Sequence, residues 1–336
     1  MPRAPDWFRY FFLWLVLALA FSFPVFAQSC QGSEDLDDVT RGAITSAAQR
    51  DFDMAAKGDV ASLRQDAIAS LAANFSPIEV TVKDHHADLS GAQATVNSVF
   101  FLEADGTAPL PHAEFYCGVF GKNGQTRDSA IFDFYNLPPG KYGVALLDTT
   151  STKGKTNFSL IFQQEKTDWK LGGLYIKNAE VSGHDADWFA AQARAYKAKG
   201  QLHNEWLYYL EARSLVSPLS FMDTLGVDKL YNEFQNDKPA DFPGDGQTAA
   251  LNAGTETYKL RAIYPQAAGN DLDVVVKYES ADASNSNLAY ASNMAVIKAL
   301  VAKYPELRDG FAAVVARAVD ASGRDYGTLL AMKEIK

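Results

Sequence analysis

The chain has 336 residues, of which 47% are hydrophobic and 12% aromatic, and its formal net charge is −10 at pH 7. That apolar content is enough for two domains with hydrophobic cores and excludes a disordered chain. The acidic charge, with no run rich in lysine or arginine, excludes a nucleic-acid partner and disfavours binding to anionic lipid.

The first 27 residues have the pattern of a secretory signal peptide. Arg3 and Arg9 precede an apolar run from Tyr10 to Phe21, and Val25 and Ala27 form the small-residue pattern of a cleavage site. The run is about a dozen residues long, whereas a bilayer-spanning helix needs roughly 20. We therefore expect an exported protein, periplasmic or extracellular, with no transmembrane segment once the signal is removed.

The two cysteines allow three interpretations, because export places both in an oxidising compartment. In the first, a disulfide between Cys30 and Cys117 ties the N-terminal segment to a strand. In the second, Cys30 is the lipidated first residue of a membrane-anchored bacterial lipoprotein, since Ser29 before it is suitably small. In the third, both thiols are unpaired and Cys117 is a small core residue.

Residues 38–177 are predicted to form a helical hairpin packed on a mainly antiparallel sheet, which is an α+β arrangement. An apolar stripe from Ile44 to Ala55 indicates the first helix, and Asp59 caps a second one that carries Leu63 to Leu71. After Pro77 the chain is rich in β-branched and aromatic residues separated by turn signals. These runs predict strands at 78–84, 93–103, 113–120, 130–135, 141–148, 156–164 and 169–177.

Segments at both ends of this region resemble a known family. Residues 52–63, with the sequence FDMAAKGDVASL, resemble the opening helices of NTF2-like domains, which are cone-shaped α+β folds. Residues 158–162 and 168–175 are similar to the closing hairpin of that family. The resemblance implies a cone that hosts either an enzyme or a binding protein. In the middle, Asn136 to Tyr142 instead resembles the turn of immunoglobulin-like carboxypeptidase-regulatory modules, which implies a β-sandwich component.

Residues 185–235 are predicted to be a helical connector. Between 186 and 216 the spacing of small and aromatic residues resembles one tetratricopeptide (TPR) repeat. The matching positions are Ala193, Tyr196, Gly200, Tyr209 and Ala212. Because a single helical pair cannot bury its own face, we expect it to pack on a neighbouring α+β domain. The alternative is a peptide-binding groove, a recognition surface lined by Tyr196, His203 and Trp206.

Residues 236–255 contain several prolines and glycines and few apolar side chains, which predicts a linker. Residues 256–336 are predicted to be a small β-β-α-α-β domain with its own core. Its predicted elements are a hairpin of Tyr258–Tyr264 and Leu272–Tyr278, helices at Leu288–Tyr304 and Pro305–Asp320, and a closing strand at Tyr326–Ile335.

The sequence contains no linear motif of a catalytic, cofactor or metal site. A P-loop, a dinucleotide-binding glycine fingerprint and a nucleophile elbow are all missing. The histidine-rich run from Asp84 to Asp88 is interpreted as a solvated turn at a strand end, and Asp185 as a helix cap. Cys117 and His112 do not match any pattern of a nucleophile and its base. We therefore predict no catalytic residues, no cofactor and no metal.

These observations favour an exported, non-catalytic binding or assembly module of the cell envelope or extracellular space, with an unknown protein or small-molecule partner. The chain as a whole resembles an exported bacterial protein. One alternative is an enzyme whose pocket lies in the NTF2-like cone and uses scattered polar side chains. Another is a peptide-binding adaptor built on the TPR-like helices. Polar groups that converge on the sheet under the helices would favour the enzyme, and aliphatic side chains there would favour a binding module.

Cleavage after Ala27 gives a testable prediction. We expect intact-mass analysis of the exported protein to give a chain that begins near Gln28, or at Cys30 if that residue is lipidated. A protein that retains Met1 would contradict export.

Overall fold

The computed structural model describes residues 28–120, 124–126, 128–152, 154–244, 246–269 and 271–336. The predicted signal peptide at residues 1–27 lies outside this part of the chain. The described part is an α+β fold, as predicted, and its strands form a five-stranded sheet, a three-stranded sheet and a second five-stranded sheet.

The helices and strands have the following bounds. The helices are α1 (Asp38–Ala56), α2 (Val60–Asp66), α3 (Ala69–Ala73), α4 (Ser76–Asp84), α5 (His86–Leu89), α6 (Ala186–Ala198), α7 (Leu202–Val216), α8 (Leu225–Phe234), α9 (Ser286–Lys303) and α10 (Leu307–Gly310). The strands are β1 (Gln28–Gln31), β2 (Gln93–Ala104), β3 (Leu110–Cys117), β4 (Ala130–Leu137), β5 (Gly140–Ser151), β6 (Gly154–Glu165), β7 (Asp168–Asn178), β8 (Met222–Thr224), β9 (Ala249–Ala253), β10 (Glu256–Ala268), β11 (Asp271–Glu279), β12 (Ala313–Val319) and β13 (Asp325–Ala331).

The first sheet is antiparallel throughout, in the order β1-β2-β5-β6-β7. Its inner face packs on α1–α5 through a core that includes Phe52, Leu63 and Phe158. Gly143 on β5 lets α1 lie close to the sheet, because a Cβ atom there would come within 3.1 Å of the Ile44 side chain. The long amphipathic helix and the sheet therefore bury each other's apolar faces.

The three-stranded sheet, in the order β3-β4-β8, covers part of the outer face of the first sheet. Phe100 and Val144 of the first sheet meet Phe115 and Phe132 of the second in this core. A disulfide between Cys30 and Cys117, with a Cα–Cα distance of 5.0 Å, joins β1 to the end of β3. The two sheets thus form a sandwich whose edge strand is covalently attached.

The C-terminal sheet has the order β9-β10-β11-β12-β13. Its pairs are antiparallel except β11 with β12, which are parallel and are connected through α9. One continuous core extends from Val181 to Ile335 and includes Phe189 of α6 and Tyr209 of α7. The connector helices are therefore part of the C-terminal unit.

Two predictions for the N-terminal half are wrong. The predicted strand at 78–84 is helix α4, which begins beside Pro77 and buries Ile78 and Val82 one turn apart. Their β-branched side chains resemble a strand in composition, but their spacing is helical. The predicted second helix is also interrupted at Ala67, because the chain there forms a parallel bridge to Leu171 of β7.

The predicted helix over Pro305–Asp320 is wrong in most of its length. Only Leu307–Gly310 is helical, and Ala313–Val319 is strand β12, which lies between β11 and β13 in the sheet. Its buried face carries Val314, Ala316 and Ala318, but Val315 and Val319 on the half-buried face are apolar too, so the sequence does not show the alternation expected of a half-buried strand. The C-terminal unit therefore has a β-β-β-α-α-β-β order in place of the predicted β-β-α-α-β.

The predicted linker at 236–255 is packed against the C-terminal unit. Phe242 is buried beside Tyr304, with ring centroids 5.5 Å apart, and Ala249–Ala253 forms the edge strand β9. The sequence predicts that residues 256–336 have a core of their own. In the structure their core is shared with α6 and α7.

This shared core gives a prediction about Tyr209, whose ring is 1% exposed and stacks on Phe234 at 4.6 Å. Tyr209→Ala should lower the free energy of unfolding by about 3–5 kcal/mol, because it removes a buried aromatic ring and leaves a cavity. The matched control is Tyr290→Ala on exposed α9 surface, which should change it by less than about 0.5 kcal/mol. Equal urea midpoints for the two variants would contradict the shared core.

Candidate functional site

A cavity of about 510 Å³ lies between the outer face of the first sheet and the chain around α6–α8. Its polar lining residues are Asn97, Ser98, Ser129, Asp148, Asn157, Ser159, Asp187, Thr224 and Lys229. Its apolar lining residues include Phe100, Leu146, Val216, Pro218, Met222 and Leu225. This volume lies in the range typical of small-molecule sites.

Strand alternation places the polar groups on one face. Ser159 of β6 stands opposite Leu146 of β5, and Asn157 stands opposite Asp148. Their chain neighbours Phe158 and Leu160 point to the opposite face and belong to the core under α1–α5. The sheet therefore presents carboxylate, amide and hydroxyl groups together toward the cavity.

A bulge adds another polar group to this set. The register of β2 against β5 shifts between Val96 and Ser98, so Asn97 is the extra residue of the strand. Its Nδ2 atom donates a hydrogen bond of 3.1 Å to the Asp148 carboxylate. The bulge thus directs an amide to the side of the sheet that lines the cavity.

Ser159 is the most unusual residue of the lining. Its side chain is 1% exposed, and its hydroxyl has no hydrogen-bond partner within the described chain. Leaving a buried hydroxyl unpaired costs about 1–3 kcal/mol, so such groups are uncommon in folded proteins. A hydroxyl in this state can still donate one hydrogen bond and accept up to two.

Asp148 lines the cavity and is exposed to solvent. Burial by the surrounding protein nevertheless raises the pKa of Asp148, against the opposing effect of the Lys155 charge. Asp187 and Lys229 add one charge of each sign from α6 and α8. The lining therefore mixes acceptors, donors and both signs of charge.

Lys177 of β7 connects the first sheet to α7, on the opposite side of the cavity. Its Nζ atom donates hydrogen bonds to the carbonyl oxygens of Ser214 and Ser217, at 2.9 and 2.8 Å, at the C-terminal end of α7. A cation at this end of a helix satisfies orphan carbonyls and complements the helix dipole. Burial lowers the pKa of Lys177, although Glu211 on α7 acts against this effect.

The structure places the predicted recognition residues in contacts within the C-terminal unit. Tyr196 is buried and donates a 2.9 Å hydrogen bond to the carbonyl of Asp309. His203 lies between the carboxylates of Glu306 and Asp241, at 2.5 and 3.0 Å. Trp206 is partly buried and packs at 5.2 Å from Tyr209. Each of these three side chains therefore has contacts within the chain, and the peptide-binding groove stays a prediction.

The other sequence candidates also have structural contacts. The sulfurs of Cys30 and Cys117 are joined, so neither is a free nucleophile, and His112 is 2.6 Å from Asp133. The histidine-rich run lies in helices α4 and α5, not at the strand end that the sequence predicted. Asp185 caps α6 as predicted, accepting from Trp188 N at 3.0 Å. No group of three or more metal-ligating side chains occurs among the residues that the structure describes.

A buried carboxylate lies on the helical side of the first sheet. Asp51 of α1 is fully buried, 3.2 Å from the Arg50 guanidinium, and one of its oxygens has no partner in the described part. Burial raises the pKa of Asp51 to about 7, against the charge of Arg50 and with the help of the Asp66 carboxylate. Asp66 in turn pairs with Arg50 and with Lys170 of β7. This cluster connects α1, α2 and the sheet.

Sequence reasoning missed the cavity residues. The signal was present in β6, where Asn157 and Ser159 alternate with Phe158 and Leu160 in an otherwise apolar run. Such alternation marks a polar sheet face. Residues 186–229 cover this polar face of the sheet. No local sequence pattern predicts that these residues contact the sheet.

No protein-family model, curated protein or solved structure is significantly similar to this chain. In the described residues no helix is both long enough and apolar enough to cross a bilayer. The chemistry of the cavity therefore has to be inferred from its own residues.

Asp51 gives a prediction about pH. Its folded-state pKa of about 7 exceeds the ordinary value of 3.8, so the folded protein retains a proton that the unfolded chain releases. The contribution of Asp51 to stability is therefore present at low pH and is lost as the pH rises from about 4 to 7, on the order of 4 kcal/mol. Asp51→Asn should flatten this part of the stability profile, measured by urea unfolding.

The control is Asp53→Asn on the exposed side of the same helix, which should keep the wild-type pH profile. If Asp51→Asn and Asp53→Asn had the same slope between pH 4 and 7, the buried proton would be ruled out.

Proposed function

We propose that this chain is an exported, non-catalytic binding module and that the cavity binds a small polyhydroxylated molecule of about mono- to disaccharide size. The observation that carries the proposal is the buried and unpaired hydroxyl of Ser159 beside Asp148 and Asn157. Amide, carboxylate and hydroxyl groups are the partners that ligand hydroxyls need, since each such group donates or accepts hydrogen bonds at fixed positions. A ligand hydroxyl would satisfy Ser159 and recover the cost of its burial.

The cavity favours a binding function over a catalytic one, because its described lining includes no histidine and no cysteine. Under α1–α5 the inner face of the first sheet is filled with Val99, Leu147, Leu160 and other apolar side chains. That filling supports a binding module over an enzyme with a pocket between those helices and the sheet. The layer of helices on one sheet face also supports our proposal that residues 38–177 are NTF2-like.

A second candidate function is favoured by one observation. Asp148 lines the cavity, and its pKa is raised by burial, which is the direction expected for a general acid or base. In this alternative Asp148 would act on a bound sugar with an activated water. The peptide-adaptor alternative is less favoured, because Tyr196 and His203 already have partners in the chain.

Export is supported by the signal-like residues before Gln28 and by the disulfide, which persists in oxidising compartments. Because the Cys30 sulfur is bonded to Cys117, we favour the disulfide over a lipid anchor at Cys30. The net charge of −10 supports a partner other than nucleic acid.

Ser159→Ala tests the proposal. We expect it to weaken maltose or glucose binding, measured by calorimetry with the mature chain, about fivefold through the loss of one hydrogen bond. The same variant should keep or raise the melting temperature, because it removes an unpaired buried hydroxyl. The control Ser46→Ala, on the exposed side of α1, should change neither quantity.

Glycine is included as a zwitterionic probe, and sugar products are followed by chromatography. Binding of glycine but not of either sugar would contradict the polyhydroxylated ligand. Product formation that stops in Asp148→Asn would favour the enzyme, and sugar binding unchanged in Ser159→Ala would contradict the proposed site.

A further inference from the structure

The three-stranded sheet has a solvent face that nothing in the described chain covers. Its inner face packs on the first sheet through Ala113, Phe115, Ala130 and Phe132. Alternation turns the residues between them outward. The solvent face comprises His112, Glu114 and Tyr116 of β3, Ile131, Asp133 and Tyr135 of β4, and Asp223 of β8. Phe120, just after β3, lies beside Tyr116. None of these residues lines the cavity.

Large aromatic side chains are exposed on this face. Tyr135 is 70% exposed, Phe120 83% and Tyr116 41%. The Tyr116 and Phe120 rings have centroids 5.5 Å apart, and Tyr135 stacks on His112 at 4.9 Å. Folding leaves these rings in water although aromatic burial is strongly favourable. Exposed aromatic rings grouped on one face, as in these two pairs on either side of Glu114 and Asp133, are typical of an interaction site.

The charges on the face are mainly negative. Glu114 stands directly opposite Asp133 in the strand register, and like charges in this position repel. The three strands contain no lysine or arginine, and the His112 ring lies 2.6 Å from Asp133. Burial raises the pKa of Asp223, as do the neighbouring carboxylates Asp228 and Asp133, against the charge of Arg213. A positive partner would relieve this repulsion.

We propose that the solvent face of the three-stranded sheet binds an arginine- or lysine-rich segment of a partner protein. The cationic groups lie over the Tyr135 and Tyr116 rings and pair with Glu114, Asp133 and Asp223. Arginine fits best, because its planar guanidinium stacks on aromatic rings and binds carboxylates with two hydrogen bonds. Charge selects this occupant over a neutral oligosaccharide, which would use the rings but would leave Glu114 and Asp133 opposed.

The test measures binding of a blocked peptide of four arginines separated by glycines to the mature chain at 50 mM and 300 mM salt. We expect Tyr135→Ala to weaken binding about three- to fivefold at low salt, since a cation over one exposed ring contributes modestly. Glu114→Gln should weaken binding by a similar factor and reduce its salt dependence. Both side chains are exposed, so both variants should fold and keep the wild-type melting temperature.

The matched controls lie in the C-terminal unit. Tyr290→Ala removes an exposed tyrosine from α9, and Glu256→Gln removes an exposed carboxylate from β10. Neither should change peptide affinity. Equal losses in these controls would show that the peptide binds by general attraction to an acidic protein, and would overturn the proposal. It would also be overturned if the peptide did not bind at 50 mM salt, or if maltotetraose bound in a Tyr135-dependent way and displaced it.

Discussion

The first sheet has apolar residues on both faces, and the need to cover both determines what surrounds it. Helices α1–α5 cover the inner face, where Phe52 meets Phe158 edge-on at 5.2 Å. The outer face is apolar only around Phe100 and Val144, and there the three-stranded sheet packs on it. The remaining part of that face is polar and cannot be sealed by an apolar layer. It therefore faces a cavity. Along the outer face of the sheet, the side chains that alternate outward are apolar under the three-stranded sheet and polar beside the cavity.

Two contacts hold the C-terminal unit over that polar region. Strand β8 lies in the chain between α7 and α8, yet it pairs with β4 of the sandwich through Ile131 and Asp223. Lys177 joins the sheet to the end of α7, and burial raises the pKa of its neighbour Glu211, against the Lys177 charge. The Lys177 hydrogen bonds to two backbone carbonyls fix the position of the end of α7 relative to the sheet. The shape of the cavity therefore depends on a backbone pairing and one half-buried amine.

The fold could be predicted from sequence wherever the apolar residues of an element follow a clear helical or strand period. The stripe of α1, the alternation in β5 and β6, and the β10–β11 hairpin are of this kind, and the structure has them. Strand β12 could not, since the valines on its half-buried face make the run apolar almost throughout, and such a run fits a helix and a strand equally. Glu205 stands where a TPR repeat has a small residue, and it lies buried 3.3 Å from the Lys197 amine. The cavity was not predictable, because Ser159 and Lys229 are brought together only by tertiary packing.

The disulfide also acts on strand register. Cys30 stands opposite Leu102 in the pairing of β1 with β2, so its side chain points to the same face as that buried leucine. A slip of one residue would turn the sulfur to the other face, away from Cys117. The chain has two cysteines, 87 residues apart, so no other intramolecular bond can form. Once formed, the bond therefore locks the alignment of the short edge strand, because the folded chain can keep Cys30 bonded to Cys117 only in the register that points both sulfurs to the same side.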